Sequence, residues 1–230
     1  MRVIRCAGRD VLTPEEAVAI GVTARAAGVI LFPTDTLYGL GVDPGSAAGL
    51  AAVCRIKGRD QDKPLPVLLA DVSLIERYAV AIPPPWRALM ERFWPGPLTL
   101  LFPALPGLPR GVCSTGGKVA LRVPGSALCR SVLRAAGGSL TGTSANAAGA
   151  AGTGDFAAAL RGLAGGIDLL VDGGTLPPSP ASSLLDVDVA GAVISLRAGA
   201  IPETAWRRAL DEVPGGTDTL PGIRQGRTFV

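Results

Sequence analysis

The sequence predicts an α/β domain built on a twisted, mixed β-sheet with flanking helices. Hydrophobic residues make up 48% of the 230 positions and charged residues only 18%, whereas disordered chains combine low hydrophobicity with high charge. Short apolar runs alternate along the chain with segments of helical periodicity, which is typical of α/β folds. Some successive strands, as in SSLLDVDVAGAVISLR, are joined too closely for a helical crossover, so antiparallel pairs must be present as well.

The first helix and strand follow from local signals. Thr13 is an N-cap residue, Pro14 suits the first helical position and Glu16 completes a capping box, which predicts a helix to about residue 27 that ends at Gly28. The apolar run at 29–32 predicts a buried strand. The segment PTDTLYGLGVDPG that follows it is expected to be a loop.

The second helix begins at Ser46 and ends at Gly58, a residue suited to a helix C-terminus. Leu50, Val53, Cys54 and Lys57 share one face of this helix, since they follow helical spacing. The remaining predicted elements are a strand at 65–70, a short helix from Ser73, a helix at about 84–93, a turn at 94–97 leading into the strand LTLLF, a strand at 119–123, a helix at about 126–136, the strand SLTGTSA, a helix at 155–163 and the strands DLLVDGG, SSLLDV and AVISLR.

Strand alternation singles out two arginines. Val119, Leu121 and Val123 share one face of their strand and Arg122 the other, while Arg197 lies opposite its aliphatic neighbours in the last strand. A buried guanidinium needs a partner, and the sequence suggests no fixed carboxylate for either arginine.

Composition excludes several classes of enzyme. The chain has no histidine, which rules out a serine–histidine hydrolase, a histidine-ligated zinc site and a histidine general base. The four cysteines are widely separated and form no CxxC pair. The N-terminus lacks the apolar run of a signal peptide, so we expect a cytoplasmic protein with reduced thiols.

The chain matches none of three common functional motifs. GLGVDPG carries Pro44 where the dinucleotide fingerprint needs glycine, and Lys118 has Val112 where a phosphate-binding loop needs glycine. GTSAN carries Asn146 where a nucleophile elbow needs its second glycine, and no histidine is available to activate Ser144.

Two polar segments remain as candidate ligand-binding elements. Lys57, Arg59 and Lys63 cluster at a helix C-terminus, where cations are favoured in general but where they could also bind a polyphosphate. TGTSAN places hydroxyl groups and one amide where a strand ends. It could form an ordinary serine–threonine turn or a cradle for anionic oxygens.

These segments together resemble the threonylcarbamoyl-AMP synthase family, also called the YrdC-like domain. The resemblance covers residues 11 to about 200 and rests on FPTDTLYGLG, KGRDQDKPLPVLLA, WPGPLTLLF, VALRVP, LTGTSAN, SSLLDV and SLRAG, which occur in the order that the family shows. It implies a sheet curved around a large concave basic cleft. The implied enzyme is a nucleotidyltransferase that makes threonylcarbamoyl-AMP and pyrophosphate from L-threonine, bicarbonate or CO2, and ATP with Mg²⁺.

The resemblance also implies roles for particular residues. By motif position, Lys57, Arg59, Ser144 and Asn146 match the catalytic tetrad around the nucleotide phosphates. Further ATP contacts match Lys63, Lys118, Gly152 and Arg197, and threonine contacts match Thr34, Arg122, Gly142 and Ser182. Departures from the family pattern are Leu68, where many relatives carry histidine, Lys118, where a hydroxyl residue is common, and Ser183, where threonine is usual.

The implied partners are a downstream threonylcarbamoyl transferase that modifies tRNA, and weakly bound RNA. We expect a catalytic domain at residues 1–212 and a flexible tail at 213–230, the short form of the family. Two alternatives stay open: a non-catalytic RNA-binding module of the same fold, and a carbamoyl transferase that uses carbamoyl phosphate.

Overall fold

A computed structural model describes residues 2–60, 63–163 and 165–212 of the chain. It confirms the mixed α/β class, but the strands form two sheets where the sequence predicted one. The predicted tail at 213–230 lies outside the described residues. The strands are β1 (Arg2–Arg5), β2 (Ile30–Pro33), β3 (Tyr38–Gly41), β4 (Val67–Leu69), β5 (Leu98–Pro103), β6 (Lys118–Arg122), β7 (Ser139–Thr141), β8 (Thr143–Ser144), β9 (Leu169–Asp172), β10 (Ser183–Val187) and β11 (Val193–Arg197).

Six α-helices and one 3-10 helix pack around these sheets in the described residues. The 3-10 helix spans Val72–Arg77, where the sequence predicted a short helix. The α-helices are α1 (Pro14–Arg25), α2 (Ala47–Lys57), α3 (Pro84–Phe93), α4 (Ala127–Ala135), α5 (Phe156–Arg161) and α6 (Glu203–Asp211).

The predicted helix ends are confirmed. Thr13 accepts from the backbone N–H of Glu16, whose side chain accepts from the N–H of Thr13, so the capping box that begins α1 is complete. Ser46 caps α2 in the same way through the N–H of Gly49. Gly58 ends α2 with φ 61°, a left-handed conformation that residues with a Cβ adopt only at a cost.

The first sheet has the order β1-β9-β2-β3-β8. Its β1-β9-β2 part is parallel, and its β2-β3-β8 part is antiparallel. The second sheet has the order β11-β10-β5-β6-β4-β7, in which parallel and antiparallel pairs alternate.

The chain passes from one sheet to the other at Gly142. The segment SLTGTSA, predicted as one strand, splits there: β7 pairs with β4 in the second sheet, and β8 pairs with β3 in the first. A Cβ on Gly142 would lie 2.5 Å from Cγ of Leu68, so only glycine fits this crossing without displacing a neighbour. The two sheets are therefore tied together at a point of close packing.

Three further elements differ from the prediction. β3 lies inside the segment that was predicted to be a loop, since its four residues, YGLG, contain no β-branched side chain that would mark a strand. β1, a short strand at a sheet edge, was not predicted. α6 was also missed, and it packs against α3 with Trp206 almost fully buried.

The larger hydrophobic core contains residues of both sheets and of α3. It includes Leu100, Phe102 and Leu121 from the strands, and Trp86 from the helix. The indole N–H of Trp86 donates to the carbonyl of Leu101 at 2.7 Å. This hydrogen bond gives the buried indole an acceptor that it would otherwise lack. Among the residues that the structure describes, no helix is long and apolar enough to cross a membrane.

Candidate functional site

A cleft between the two sheets brings together most of the polar residues that the sequence singled out. Its cavity of about 200 Å³ is several times the roughly 30 Å³ that one water molecule occupies in the liquid. Its lining includes hydroxyl groups from both sheets and four cationic side chains, and these residues are Thr34, Thr36, Tyr38, Arg59, Thr99, Ser114, Lys118, Arg122, Thr143, Ser144, Ser182 and Arg197.

Strand alternation places the cleft on one face of the second sheet. Lys118, Ala120 and Arg122 of β6 line the cleft, whereas Val119 and Leu121 pack into the core on the other face. The orientation predicted for Arg122 is confirmed. The aliphatic face anchors the strand and so fixes where its polar side chains lie.

Arg122 is almost fully buried and is held by three groups. Its Nε donates to the carbonyl of Gly96 at 3.0 Å, its Nη1 lies 3.4 Å from Oγ1 of Thr36, and its Nη2 lies 2.5 Å from Oδ1 of Asp35. The expectation that no fixed carboxylate serves this arginine was therefore wrong. Asp35 comes from the loop after β2, 87 residues earlier in the chain.

Arg197 is fixed by a neutral partner, Ser182. Its Nε donates to the Ser182 carbonyl and its Nη2 to the Ser182 hydroxyl, both at 2.9 Å. That hydroxyl also lies 2.8 Å from Oγ1 of Thr99. Burial lowers the pKa of Arg197, and the positive charge of Arg122 adds to the effect.

Lys118 reaches over the cleft face of the second sheet. Its Nζ lies 2.6 Å from Oδ1 of Asp186 and 2.7 Å from the carbonyl of Val187. The side chain keeps 31% of its surface exposed. This lysine is held by the end of β10 rather than pointing freely into the cavity.

Lys57 lies inside the protein at the end of α2. Its Nζ donates to the carbonyls of Ser144 and Asn146 at 2.5 and 2.6 Å, and only 5% of the residue is exposed. Burial, together with the smaller effect of the nearby Arg59 charge, lowers the pKa of Lys57 to about 8. Lys57 thus fixes the loop that follows β8.

Arg59 extends this positive region into the cleft. Its Nη2 lies 3.3 Å from the carbonyl of Pro64, and its Nε is buried without a hydrogen-bond partner in the described part of the chain. Burial lowers the pKa of this guanidinium as well. A buried donor without a partner is costly, so the site favours a ligand that supplies an acceptor.

The loop after β8 closes this end of the cleft. The side-chain amide of Asn146 donates to the carbonyls of Ala147 and Ala150 at 2.8 and 2.6 Å, while its Oδ1 is buried and has no partner in the described chain. A Cβ on Gly152 would lie 2.7 Å from Cδ1 of Leu37 and 3.3 Å from Cβ of Ser144. Glycine at 152 therefore lets the loop pack closely against the cleft.

Thr34 shapes the loop on the other side of the cavity. Its hydroxyl donates to the carbonyl of Leu37 at 2.7 Å and accepts from the N–H groups of Thr36 and Leu37 at 3.1 and 3.2 Å. This compact turn holds Asp35 and Thr36 beside Arg122. The hydroxyl group has a structural role here in addition to lining the cleft.

The structure brings eight of the twelve predicted site residues to the cavity wall. These are Thr34, Arg59, Lys118, Arg122, Gly142, Ser144, Ser182 and Arg197. Lys57, Lys63, Asn146 and Gly152 lie outside that lining, and Lys57, Asn146 and Gly152 shape the loop behind it. The sequence analysis did not single out Asp35 or Asp186, because each belongs to the site only through a cationic partner far away in the chain.

Metal ligands do not cluster in the described parts of the chain, where no three His, Cys, Asp or Glu side chains come close enough to hold an ion. The side chains of residues 2–60, 63–163 and 165–212 therefore do not fit a resident metal centre. The four cationic side chains of the cleft can only donate and its hydroxyl groups can also donate, which suits anionic ligands.

Comparisons with known proteins agree with this architecture. A relative from Thiobacillus denitrificans named threonylcarbamoyl-AMP synthase is 42% identical over 114 residues, which cover 47% of this chain and 60% of that one. A crystal structure of P. abyssi Sua5 complexed with L-threonine has a TM-score of 0.85 at 26% identity, covering 93% of this chain and 62% of that one. The E. coli YciO structure has a TM-score of 0.73 at 21% identity, covering 86% and 94%, and it shows the shared fold.

The chain spans about half the length of the curated relatives that it matches. A family model matches a larger part of this chain than the relative from T. denitrificans does, or a second relative from Halorhodospira halophila. The model is named Sua5_yciO_yrdC, is described as "Telomere recombination" and matches residues 23–199. That range contains both sheets apart from β1, and every residue that lines the cleft. The chain belongs to the Sua5, YciO and YrdC family.

Proposed function

We propose that this protein is an L-threonylcarbamoyladenylate synthase, a nucleotidyltransferase that uses L-threonine, bicarbonate or CO2, and ATP. The proposal rests on one observation. A single cleft contains Arg122, which the carboxylate of Asp35 orients and which lies close to hydroxyl groups, and the same cleft extends to the positive region around Arg59. The carboxylate of an amino acid is best bound by an oriented arginine, and a triphosphate is best bound by a region of positive charge. The relative from P. abyssi binds L-threonine in the same fold.

The amino-acid end of the cleft is proposed to lie at Arg122. Its guanidinium would bind the threonine carboxylate, since planar paired donors match a carboxylate well. Thr34, Gly142 and Ser182 border the same cavity and would enclose the rest of the amino acid. Leu68 also lines it where many members of the family carry histidine, so this contact is apolar here.

The nucleotide end is proposed to lie toward Arg59, Ser144 and Arg197. The Nε of Arg59, which has no hydrogen-bond partner among the described residues, offers a donor to phosphate oxygens. Lys57 and Asn146 fix the Ser144 loop from behind, so their proposed catalytic effect is to orient that loop and to add positive potential. Lys63, Lys118 and Gly152 are proposed as further contacts at the edge of the nucleotide site.

The reaction needs no protein nucleophile. The neutral amine of threonine adds to CO2 to form a carbamate and releases one proton. A carbamate oxygen then attacks the α-phosphorus of ATP in line, and the bond to the leaving pyrophosphate breaks. Negative charge grows on the pyrophosphate, and fixed cations stabilise that charge more in the transition state than in the bound substrate.

Mg²⁺ is proposed only as the counterion that arrives with the ATP phosphates, and no step is assigned to it. The product is an activated acyl adenylate. We propose that a separate threonylcarbamoyl transferase consumes it to modify tRNA, and that any direct contact with RNA is weak.

The test is to incubate the purified protein with ATP, Mg²⁺, L-threonine and ¹³C-bicarbonate, and to follow pyrophosphate and the labelled adenylate by mass spectrometry. We expect one labelled adenylate per pyrophosphate, with no release when threonine is omitted. A folded protein that releases no pyrophosphate but binds RNA with a steep salt dependence would instead support the RNA-binding alternative. Product formed from carbamoyl phosphate without ATP would support the carbamoyl transferase.

A further inference from the structure

Asp35 is a buried carboxylate that the proposed reaction does not use. It lies in the loop after β2, and its Oδ1 is 2.5 Å from Nη2 of Arg122. The two side chains are 16% and 6% exposed. A pair this well shielded from water interacts more strongly than the ion pairs of the protein surface.

Three groups hold the guanidinium of Arg122 and together define its orientation. The Gly96 carbonyl accepts from Nε and the Thr36 hydroxyl lies near Nη1, while Asp35 is the one charged partner. A guanidinium has five N–H donors, and these contacts use three of them. Two donors, one on each terminal nitrogen, remain for a ligand.

The carboxylate of Asp35 lies behind the guanidinium rather than in the substrate space. Arg122 and both neighbours of Asp35 in sequence, Thr34 and Thr36, line the cavity, but Asp35 does not. Its second oxygen, Oδ2, faces Gly125, where an added Cβ would lie 3.0 Å away. A substrate carboxylate could therefore approach Arg122 without displacing Asp35.

We propose that Asp35 is the positioning residue for Arg122: it locks the guanidinium so that the two remaining N–H groups face the cleft and receive the substrate carboxylate. This inference rests on the proposed function where it names L-threonine as that substrate. A preoriented guanidinium loses little side-chain freedom when the ligand binds, and this favours binding. Asp35 also offsets the charge of Arg122 beside Arg197, whose pKa the Arg122 charge lowers.

The test is to measure L-threonine and ATP binding by calorimetry in the wild type and in Asp35→Asn, which keeps the shape of the side chain but loses its charge. We expect the Kd for L-threonine to rise about tenfold to a hundredfold, the scale of one hydrogen bond to a charged group, while the Kd for ATP stays within about twofold. The matched control is Glu203→Gln, which removes a carboxylate from the exposed ion pair with Arg207 on α6. It should change neither Kd.

Three further readouts separate positioning from general damage to the fold. Asp35→Glu keeps the charge and should recover part of the lost affinity, and it serves as the second variant if Asp35→Asn unfolds. L-threoninol, which lacks the carboxylate, should lose little affinity in Asp35→Asn. An unchanged Kd for L-threonine, or a tighter one, would overturn the proposal, since tighter binding would mean that Asp35 competes with the substrate for Arg122.

A readout independent of threonine distinguishes failure of this inference from failure of the proposed function. The Nε–H resonance of Arg122, assigned with Arg122→Lys, should be sharp and protected from exchange in the wild type and should broaden in Asp35→Asn. A wild type that does not bind L-threonine contradicts the proposed function. An Nε–H resonance that Asp35→Asn leaves unchanged contradicts the positioning role, whatever the ligand is.

Discussion

Two pairs of cationic side chains around the cleft are held in different ways. At the α2 end, Lys57 and Arg59 donate to backbone carbonyls of Ser144, Asn146 and Pro64. On the second sheet, Arg122 and Lys118 contact the carboxylates of Asp35 and Asp186. Carbonyl dipoles fix a cation but leave its charge in place, whereas a carboxylate fixes it and cancels the charge.

The difference teaches how one cleft can bind two unlike anions. A polyphosphate carries several charges spread over many oxygens, so it is best met by uncancelled positive charge. An amino-acid carboxylate carries one charge with a defined plane, so it is best met by an oriented donor. In the proposed function the triphosphate therefore binds at the Lys57 and Arg59 end, and the amino acid at Arg122.

The largest expected effect is at Arg59. Arg59→Ala removes a donor aimed at the proposed phosphate site, and threonine-dependent pyrophosphate release should fall on the order of a hundredfold or more. The loss should appear in kcat, because charge on the pyrophosphate develops in the transition state. Steady-state kinetics with both substrates measures it.

Arg55→Ala is the matched control, since Arg55 lies exposed on α2 two residues before Lys57. Its kcat should equal that of the wild type. A turnover of Arg59→Ala close to the wild-type value would remove Arg59 from the phosphate site and break the contrast between the two ends.

The next effect is a pH dependence of stability at Lys57. Its pKa in the folded protein is lowered to about 8 by burial, while an unfolded lysine titrates near 10.4. Between these values the unfolded chain binds more protons, so the free energy of unfolding should rise with pH. The cost of burying the charged lysine is fully present below about pH 8 and is lost as the pH rises toward 10.

Urea unfolding at pH 7.5, 8.5 and 9.5 checks this, with Lys57→Met and Lys57→Arg as references that do not titrate in this range. The wild type should gain stability relative to each reference as the pH rises. Parallel profiles for all three proteins would mean that the charge of Lys57 is already cancelled and that its carbonyl contacts do not leave the charge in place.

Local chemistry explains what could be predicted from the sequence. The caps of α1 and α2, the left-handed Gly58 and the orientation of Arg122 were all predicted, since each depends on residues within a few positions. Some hydroxyl groups of the cleft were also singled out, because TGTSAN places several of them where a strand ends.

Long-range contacts explain what could not. The partner of Arg122 lies 87 residues away and that of Lys118 lies 68 residues away, and no spacing rule connects such pairs. Lys57 donates to carbonyls 87 and 89 residues distant, and these contacts are equally invisible in the sequence. The division of SLTGTSA between two sheets depends on Leu68 packing against Gly142, which only the tertiary fold shows.

The two ends of the cleft are linked at Gly142, and a third prediction concerns this link. Gly142→Ala places a Cβ about 2.5 Å from Cγ of Leu68, and such overpacking typically costs about 1–3 kcal/mol. Denaturant unfolding should show a loss of that size. In a Leu68→Ala background the added methyl group has room, so Gly142→Ala should then cost less than about 1 kcal/mol. Equal costs in both backgrounds would mean that Leu68 does not make this crossing tight.

The smallest expected effect is at Asp186. Its pair with Lys118 is partly exposed, with side-chain exposures of 16% and 31%, and exposed pairs contribute about 0.2–1 kcal/mol. Asp186→Asn should therefore lower stability by no more than that. It should also free the Lys118 ammonium for the nucleotide, so the KM for ATP should fall by at most about fivefold at low salt, the equivalent of 1 kcal/mol.

The salt dependence of the Asp186 effect decides between the two ways of holding a cation. If Asp186 cancels the charge of Lys118, the Asp186→Asn effect on the KM for ATP should shrink as ionic strength rises, since salt screens exposed charges. The KM for L-threonine should not change at any salt concentration. A change in the threonine KM instead would mean that Lys118 faces the amino-acid end, and the boundary between the two ends would have to be moved toward β10.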